Sequence, residues 1–229
     1  SDRTLEVFSL GPAGAEAAFW QAFLQNKKAD CNAVNPELVF LFRSETAMVL
    51  EHLLKSQDDW LLKYQLALIY RDRNRLPECK QLLLSCGEIS SYSPFYATRA
   101  AIFRDNDTAQ CLRDLQKAVS LNPSQWRYQK LLAEYYNAHA QQEKALAISV
   151  SFYKDHPGQY IMSMLHARTL MLNKKYKEAD GVLSRINIIP FEGATEGKAL
   201  YREAKLMLAL QGMQKHNYRK ALAFIGQSR

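Results

Sequence analysis

Four cysteines, five histidines and an adjacent pair of carboxylates are the residues of this chain that could do chemistry beyond packing. Cysteine and histidine hold zinc when they recur at short spacings. No Cys-x-x-Cys, His-x-x-x-His or His-Glu-x-x-His occurs. Cys79 and Cys86 stand seven residues apart, about 10.5 Å along a helix axis, whereas a disulfide needs Cα atoms within about 7 Å. Cys79 and Cys111 fall at equivalent places in two successive segments, whose helices stack roughly 10 Å apart. These cysteines read as small buried hydrophobes, and Cys31, in an expected loop, as the free thiol. His166 replaces an inward-facing leucine and reads as a hydrogen-bonded core residue, while His156 and His216 fall in turns. Asp58 and Asp59 precede Trp60 and read as a helix N-cap that complements the helix dipole, rather than as a general acid and base. Gly11-Pro-Ala-Gly14 is too short to cradle phosphate, and no nucleophile elbow is present. The sequence therefore predicts no catalytic centre, no metal and no cofactor.

The elements that must position these residues follow from composition and periodicity. Of 229 residues 48% are apolar, which supplies a core, and nine glycines with seven prolines are too few for a turn-rich all-β chain. The longest apolar runs, such as LVFLF at 38–42, fall far short of the roughly 20 residues that cross a bilayer. No membrane insertion is expected. The first residues lack a signal-peptide pattern, which leaves a cytoplasmic or a periplasmic setting open. A net charge of +7 permits an anionic partner.

Six small residues, Ala47, Cys79, Cys111, Ala145, Ala179 and Ala221, recur at intervals of 32, 32, 34, 34 and 42. Leu83 and Leu115 follow their small residues by four, one helical turn on, and Pro123 and Pro157 follow theirs by twelve, where a helix must stop. Each interval reads as helix, turn, helix, turn. The small residue sits where the two helices cross closely and a larger side chain would separate them.

This pattern resembles the tetratricopeptide repeat (TPR), well over 60–229 and weakly over 13–59. The matching residues are Leu66-Ala67-Leu68-Ile69-Tyr70 and Leu132-Ala133-Glu134-Tyr135-Tyr136 in first helices, the recurring small residue in second helices, and the terminal prolines. The third segment lacks the Leu-Ala pair, and the last has Gly212 in the tyrosine's place. The resemblance implies an all-α, right-handed α-α superhelix of five to six helix pairs. The expected divisions are an extended arm at 1–12, a degenerate pair at 13–59, and pairs at 60–91, 92–125, 126–159, 160–197 and 198–229. The last third is also similar to the repeat region of a Bacteroides-type bacterial family whose repeats follow a β-rich N-terminal domain. The alternating TLEVFSL at the start fits the tail of such a domain or a plain extended arm. The last helix pair carries no polar cap, so a longer natural chain is expected.

In TPR architecture the first helices line a concave groove. Here its members are Leu61, Tyr64, Leu68 and Arg71; Tyr96 and Phe103; Arg127, Lys130, Glu134 and Asn137; Met164, Arg168 and Met171; and Leu206, Leu210 and Met213. Chaperone-binding members clamp a C-terminal carboxylate with Lys and Asn. Lys130 matches one such position, but Glu134, Leu165, Glu203 and Met207 replace the others, so that clamp is disfavoured. The apolar groove suits an amphipathic helix or apolar peptide of a protein partner. Equally, it suits another domain of the same parent chain or a second copy. The turns within pairs carry Lys27, Lys28, Arg71, Arg73, Arg75, Arg104, Lys174, Lys175, Lys177, Lys215, Arg219 and Lys220, and those between pairs carry Asp58, Asp59, Glu88, Asp155, Glu192 and Glu196. A basic edge of this kind meets an acidic partner, or is simply a row of solvated turns. Interspersed acidic groups make nucleic acid a poor partner. The longest interval holds an apolar-acidic-glycine insertion at 188–197. It either presses Phe191 or Glu192 onto a partner or, the preferred reading, seals the joint between two pairs. The function implied is non-catalytic protein–protein recognition or scaffolding. The alternative is an accessory module of a carbohydrate-active enzyme whose catalytic domain lies outside this chain.

Overall fold

A computed structural model of the chain describes residues 44–89, 91–156, 158–186 and 194–228. The N-terminal arm, Cys31, Phe191 and Glu192 lie outside these. Among the described residues there are eleven helices and no strand. They are α1 (Ser44–Leu53), α2 (Trp60–Asp72), α3 (Leu76–Ser85), α4 (Ser93–Phe103), α5 (Thr108–Leu121), α6 (Trp126–Ala138), α7 (Gln142–Asp155), α8 (Tyr160–Leu172), α9 (Tyr176–Leu183), α10 (Ala194–Gln214) and α11 (Tyr218–Gln227). The chain divides into two compact units, Ser1–Cys111 and Leu112–Arg229, with the boundary inside α5.

Local chemistry explains the helix starts. The Asp59 carboxylate caps α2, accepting from the backbone N–H of Leu61 at 2.7 Å and of Leu62 at 3.4 Å. These are donors that a helix start leaves unpaired. Asp58 beside it forms an ion pair with Lys63. Pro77 and Pro94 stand in the first turns of α3 and α4, where a missing N–H costs nothing.

Four of the turns within pairs share one geometry that the sequence does not announce. Asn74, Ala140, Lys174 and His216 have φ of 59°, 55°, 59° and 57°. After each, the next backbone N–H reaches back five residues: Arg75 to the Tyr70 carbonyl at 2.8 Å, Gln141 to Tyr136 at 2.8 Å, Lys175 to Leu170 at 2.9 Å and Asn217 to Gly212 at 2.8 Å. This left-handed closure satisfies the helix's orphan carbonyls. None of the four residues is glycine, so each bears a Cβ in a region that L-residues disfavour.

In the first unit, α2 packs on α1 and α3, and α4 follows on α3. Its interior is aromatic: the Tyr64 ring meets Tyr92 and Phe95 edge-on at 5.8 Å each, and Phe95 meets Tyr96 at 5.3 Å. In the second unit, α6–α7, α8–α9 and α10–α11 form successive hairpins, and α7–α8 and α9–α10 pack between them. One core cluster here joins Ala167, Leu170 and Met171 of α8 to Ala179, Val182 and Leu183 of α9 and Ala204 of α10. The small-residue positions Ala145, Ala179 and Ala221 are 0%, 0% and 2% exposed. At the α10–α11 crossing, a Cβ added to Gly212 would lie 3.3 Å from the Ala221 Cβ. Gly212, the departure from the tyrosine pattern, therefore serves close approach.

α10 differs from the expected division. It has 21 residues, against 13 in α6 and in α8, and the interval leading to Ala221 is 42 residues against 34 before it. The same eight residues account for both. Helix begins at Ala194, inside the stretch read as an insertion, so two extra helical turns overhang the pair. Leu200 and Tyr201 hold this overhang against the α8–α9 core cluster.

Candidate functional site

The first helices of the second unit, α6, α8 and α10, line a cleft of about 530 Å³. Its floor is apolar: Ile161, Met164 and Leu165 from α8, with Ala199 and Leu200 from the α10 overhang. Its rim is charged: Lys130 and Glu134 from α6, Arg168 from α8, and Glu196 and Glu203 from α10. Helical spacing explains the set, since residues three, four and seven apart share a face. Lys130 donates to Glu134 one turn on at 2.6 Å, so this cation is already neutralised within its own helix. Arg168, Glu196 and Glu203 are exposed and form no ion pair with a described residue.

The remaining candidate groove residues are placed differently. In the first unit Tyr64, Tyr96 and Phe103 are 4%, 1% and 7% exposed. They lie in the interior, not on an open face. The Tyr64 hydroxyl is 3.1 Å from the Thr98 hydroxyl, and Tyr96 donates to the Ile89 carbonyl at 2.5 Å. Leu68 is half-buried and Arg71 exposed. In the second unit Met171 belongs to the core cluster, and Asn137 ties α6 to α8 by donating to the Thr169 hydroxyl at 3.0 Å. Leu206, Leu210 and Met213 are 46%, 45% and 50% exposed along α10 beyond the cleft.

Lys27 and Lys28 lie outside the described residues, and the other turn cations are all exposed. Arg75 is engaged by Glu78 at 2.8 Å and Glu51 at 3.7 Å, and lies over the Tyr70 ring at 3.9 Å. Lys175 sits 3.6 Å from Glu178. Lys174, Lys177, Lys215, Arg219 and Lys220 make no ion pair with a described residue.

Two polar residues take apolar slots of the repeat. Leu66, Leu132 and Leu208 stand buried 13 residues before their small residues, and His166, 7% exposed, takes that place in α8; Arg99 of α4, 12 before Cys111 where the other first helices have alanine, is 3% exposed. Arg99 donates to the Gly87 carbonyl at 2.9 Å and to Glu88 at 3.2 Å. His166 lies 3.0 Å from the Ser149 hydroxyl and stacks on Tyr153. Burial holds the His166 imidazolium below its ordinary value, with Lys175 acting the same way and Glu178 against them. His166 was legible from the repeat; Arg99 was not, because its partners come from the turn before α4.

A buried ion pair was also missed. Lys205 of α10, 5% exposed, pairs with Asp180 of α9 at 2.7 Å. Burial alone pulls the Lys205 ammonium down, but the Asp180 hydrogen bond and charge, helped by Tyr201, raise it above the ordinary lysine value. Cys79 and Cys86 are free thiols. Burial pushes the Cys86 thiol up to about 11, which makes it a poor nucleophile. Among the described residues no group of three or more His, Cys, Asp or Glu could hold a metal, and no helix is long and apolar enough to cross a membrane.

Neither a protein-family model nor a curated protein matches the chain. Solved structures do. YrrB, described as a TPR protein with an unusual peptide-binding site, is 14% identical, with a TM-score of 0.58 over 78% of this chain and 89% of that one. A tetratricopeptide repeat protein from Parabacteroides merdae is 13% identical, with a TM-score of 0.59 over 80% and 84%. MamA from Desulfovibrio magneticus is 10% identical, with a TM-score of 0.54 over 75% and 94%. Paired helices at a near-constant interval, small residues at each crossing and this likeness give one conclusion: the chain has the tetratricopeptide-repeat fold.

Proposed function

We propose that the chain is a non-catalytic protein-interaction module that binds a polypeptide segment in the α6–α8–α10 cleft. The observation that carries this reading is the cleft's make-up, an apolar floor inside a rim of both charge signs. Polypeptides present that mixture, and its volume falls within the roughly 300–1,000 Å³ typical of ligand sites. A glycan asks instead for stacking rings and dense hydrogen bonding. Among the described residues of the lining Tyr160 is the single aromatic one, so the reading as an accessory module of a carbohydrate-active enzyme has less support. YrrB offers a precedent for peptide binding on this fold. The pairing of Lys130 with Glu134 leaves no free cation at that position for a terminal carboxylate.

Panning a random peptide display library on the 229-residue chain tests the proposal. Enriched peptides should bind the wild type and lose at least tenfold in affinity to Ile161→Glu and Arg168→Glu, roughly 1.4 kcal/mol or more. Both side chains are exposed, so the fold should survive these changes. Binding that ignores both substitutions, or a glycan array hit with no peptide enrichment, would overturn it.

A further inference from the structure

We infer that the occupant of the second unit's concave face is an amphipathic helix with segregated charges, its cationic end against the α10 overhang and its anionic end against the lysine-bearing turns. The inference rests on the polypeptide-binding reading and names the partner's chemistry. The length of the face comes first. α10 has 21 residues, about 31 Å at the helical rise. Beyond the cleft it bears Leu206, Leu210 and Met213, four and three residues apart and about half exposed, and α8 adds Leu172 at 45%. Apolar side chains thus recur about every 5.4 Å along the face, the pitch of a helix. A partner helix seats its ridges between them turn after turn. An extended strand, repeating at about 6.6–6.8 Å per two residues, drifts out of register.

Charge polarity comes second. α8 and α10 run the same way, since the N-terminal halves of both line the cleft. Among the residues lining the cleft at that end, Glu196 and Glu203 oppose the guanidinium of Arg168, with Lys130 and Glu134 cancelling one another, while Arg127, outside the lining, lies over the Trp126 ring at 4.6 Å. At the other end, the turns after α8 and α10 place Lys174 and Lys215, with Lys177, Arg219 and Lys220 close behind. The one carboxylate paired there is Glu178, held 3.6 Å from Lys175. A ligand that brings its own cations to the overhang and its own carboxylates to the turns meets complementary charge at both ends. Such an order also suits a lone helix whose acidic residues come first, because it complements the helix dipole.

The test uses two designed 20-residue peptides of identical composition. Each has leucines at three- and four-residue spacing; one has glutamates in its first two turns and arginines in its last two, the other has the charges intermixed. Fluorescence anisotropy at low salt should show the segregated peptide binding about tenfold tighter. The Glu196→Lys/Glu203→Lys variant should erase that preference. A spin label at the arginine end should broaden the Met164 methyl resonance more than that of Met213. Equal binding of both peptides, with no positional effect of the label, overturns the charge order while leaving the polypeptide-binding reading intact. Failure of both peptides, and of the panned peptides, overturns the two together. Concentration-dependent self-association abolished by Leu206→Asp/Leu210→Asp would name a second copy as the occupant and overturn the inference.

Discussion

His166 and Arg99 show how a repeat tolerates a polar residue in an apolar slot. A buried polar side chain is stable only when its hydrogen bonds are met, and each has been given partners by its own neighbourhood: Ser149 for His166, the Gly87 carbonyl and Glu88 for Arg99. For His166 this has a pH consequence. Because the folded state resists the proton, stability holds above the ordinary imidazole value of ~6.5 and declines as the pH falls through the depressed one. Urea titrations at pH 7.5 and 5 should show this decline in the wild type, and His166→Leu should remove most of it. The Lys205–Asp180 pair makes a sharper case. Asp180→Asn leaves a buried ammonium without its counter-charge and should cost about 3 kcal/mol in urea unfolding. Since the ammonium is raised in the fold, the pair's contribution is complete below ~10.5 and fades as the pH climbs through the raised value. The repeat made His166 readable as a core residue. Nothing in the spacing could expose Lys205, whose ammonium lies over the rings of Tyr201, in the extra turns of α10, and Phe224 of α11.

At the level of elements, the small-residue interval located the second helices because its cause is local and steric. Ala145, Ala179 and Ala221 are all buried at helix crossings, and Gly212 extends the rule to the opposing helix. The turns were harder to read. Left-handed closure normally announces itself by glycine, and here Asn74, Ala140, Lys174 and His216 adopt it. Tertiary packing of the paired helices overrides that local preference. Ala140→Gly should therefore raise the melting temperature by about 2–4 °C, while Ala140→Val, adding a β-branch in the same region, should lower it by at least as much. Differential scanning calorimetry on the two variants checks both signs. The long interval before Ala221 was visible as eight additional residues, but their state was not. Gly193 and Gly197 suggest a loop by composition, and the contacts of Leu200 and Tyr201 with the α8–α9 cluster instead extend the helix back to Ala194.

On the scale of the whole molecule, the two compact units use their first helices differently. In the first, aromatic residues at the groove positions fill the unit's own interior. In the second, groove positions of α6 and α8 and the N-terminal half of α10 leave a lined cleft. The place in the repeat that assigns a residue to the groove face cannot distinguish these outcomes, because a tyrosine at such a position either faces solvent or folds inward against a neighbour. The central claim is that this cleft receives a polypeptide, and the six methionines supply the probe. Met164 lies in the cleft, Met162 is fully buried two residues away on the same helix, and Met48 is exposed in the first unit. Methyl NMR of the methionine-labelled chain during titration with a panned peptide is the most direct measurement. The Met164 resonance should shift in a saturable way while those of Met162 and Met48 stay in place. A saturable shift at Met48 with Met164 unmoved would contradict the account.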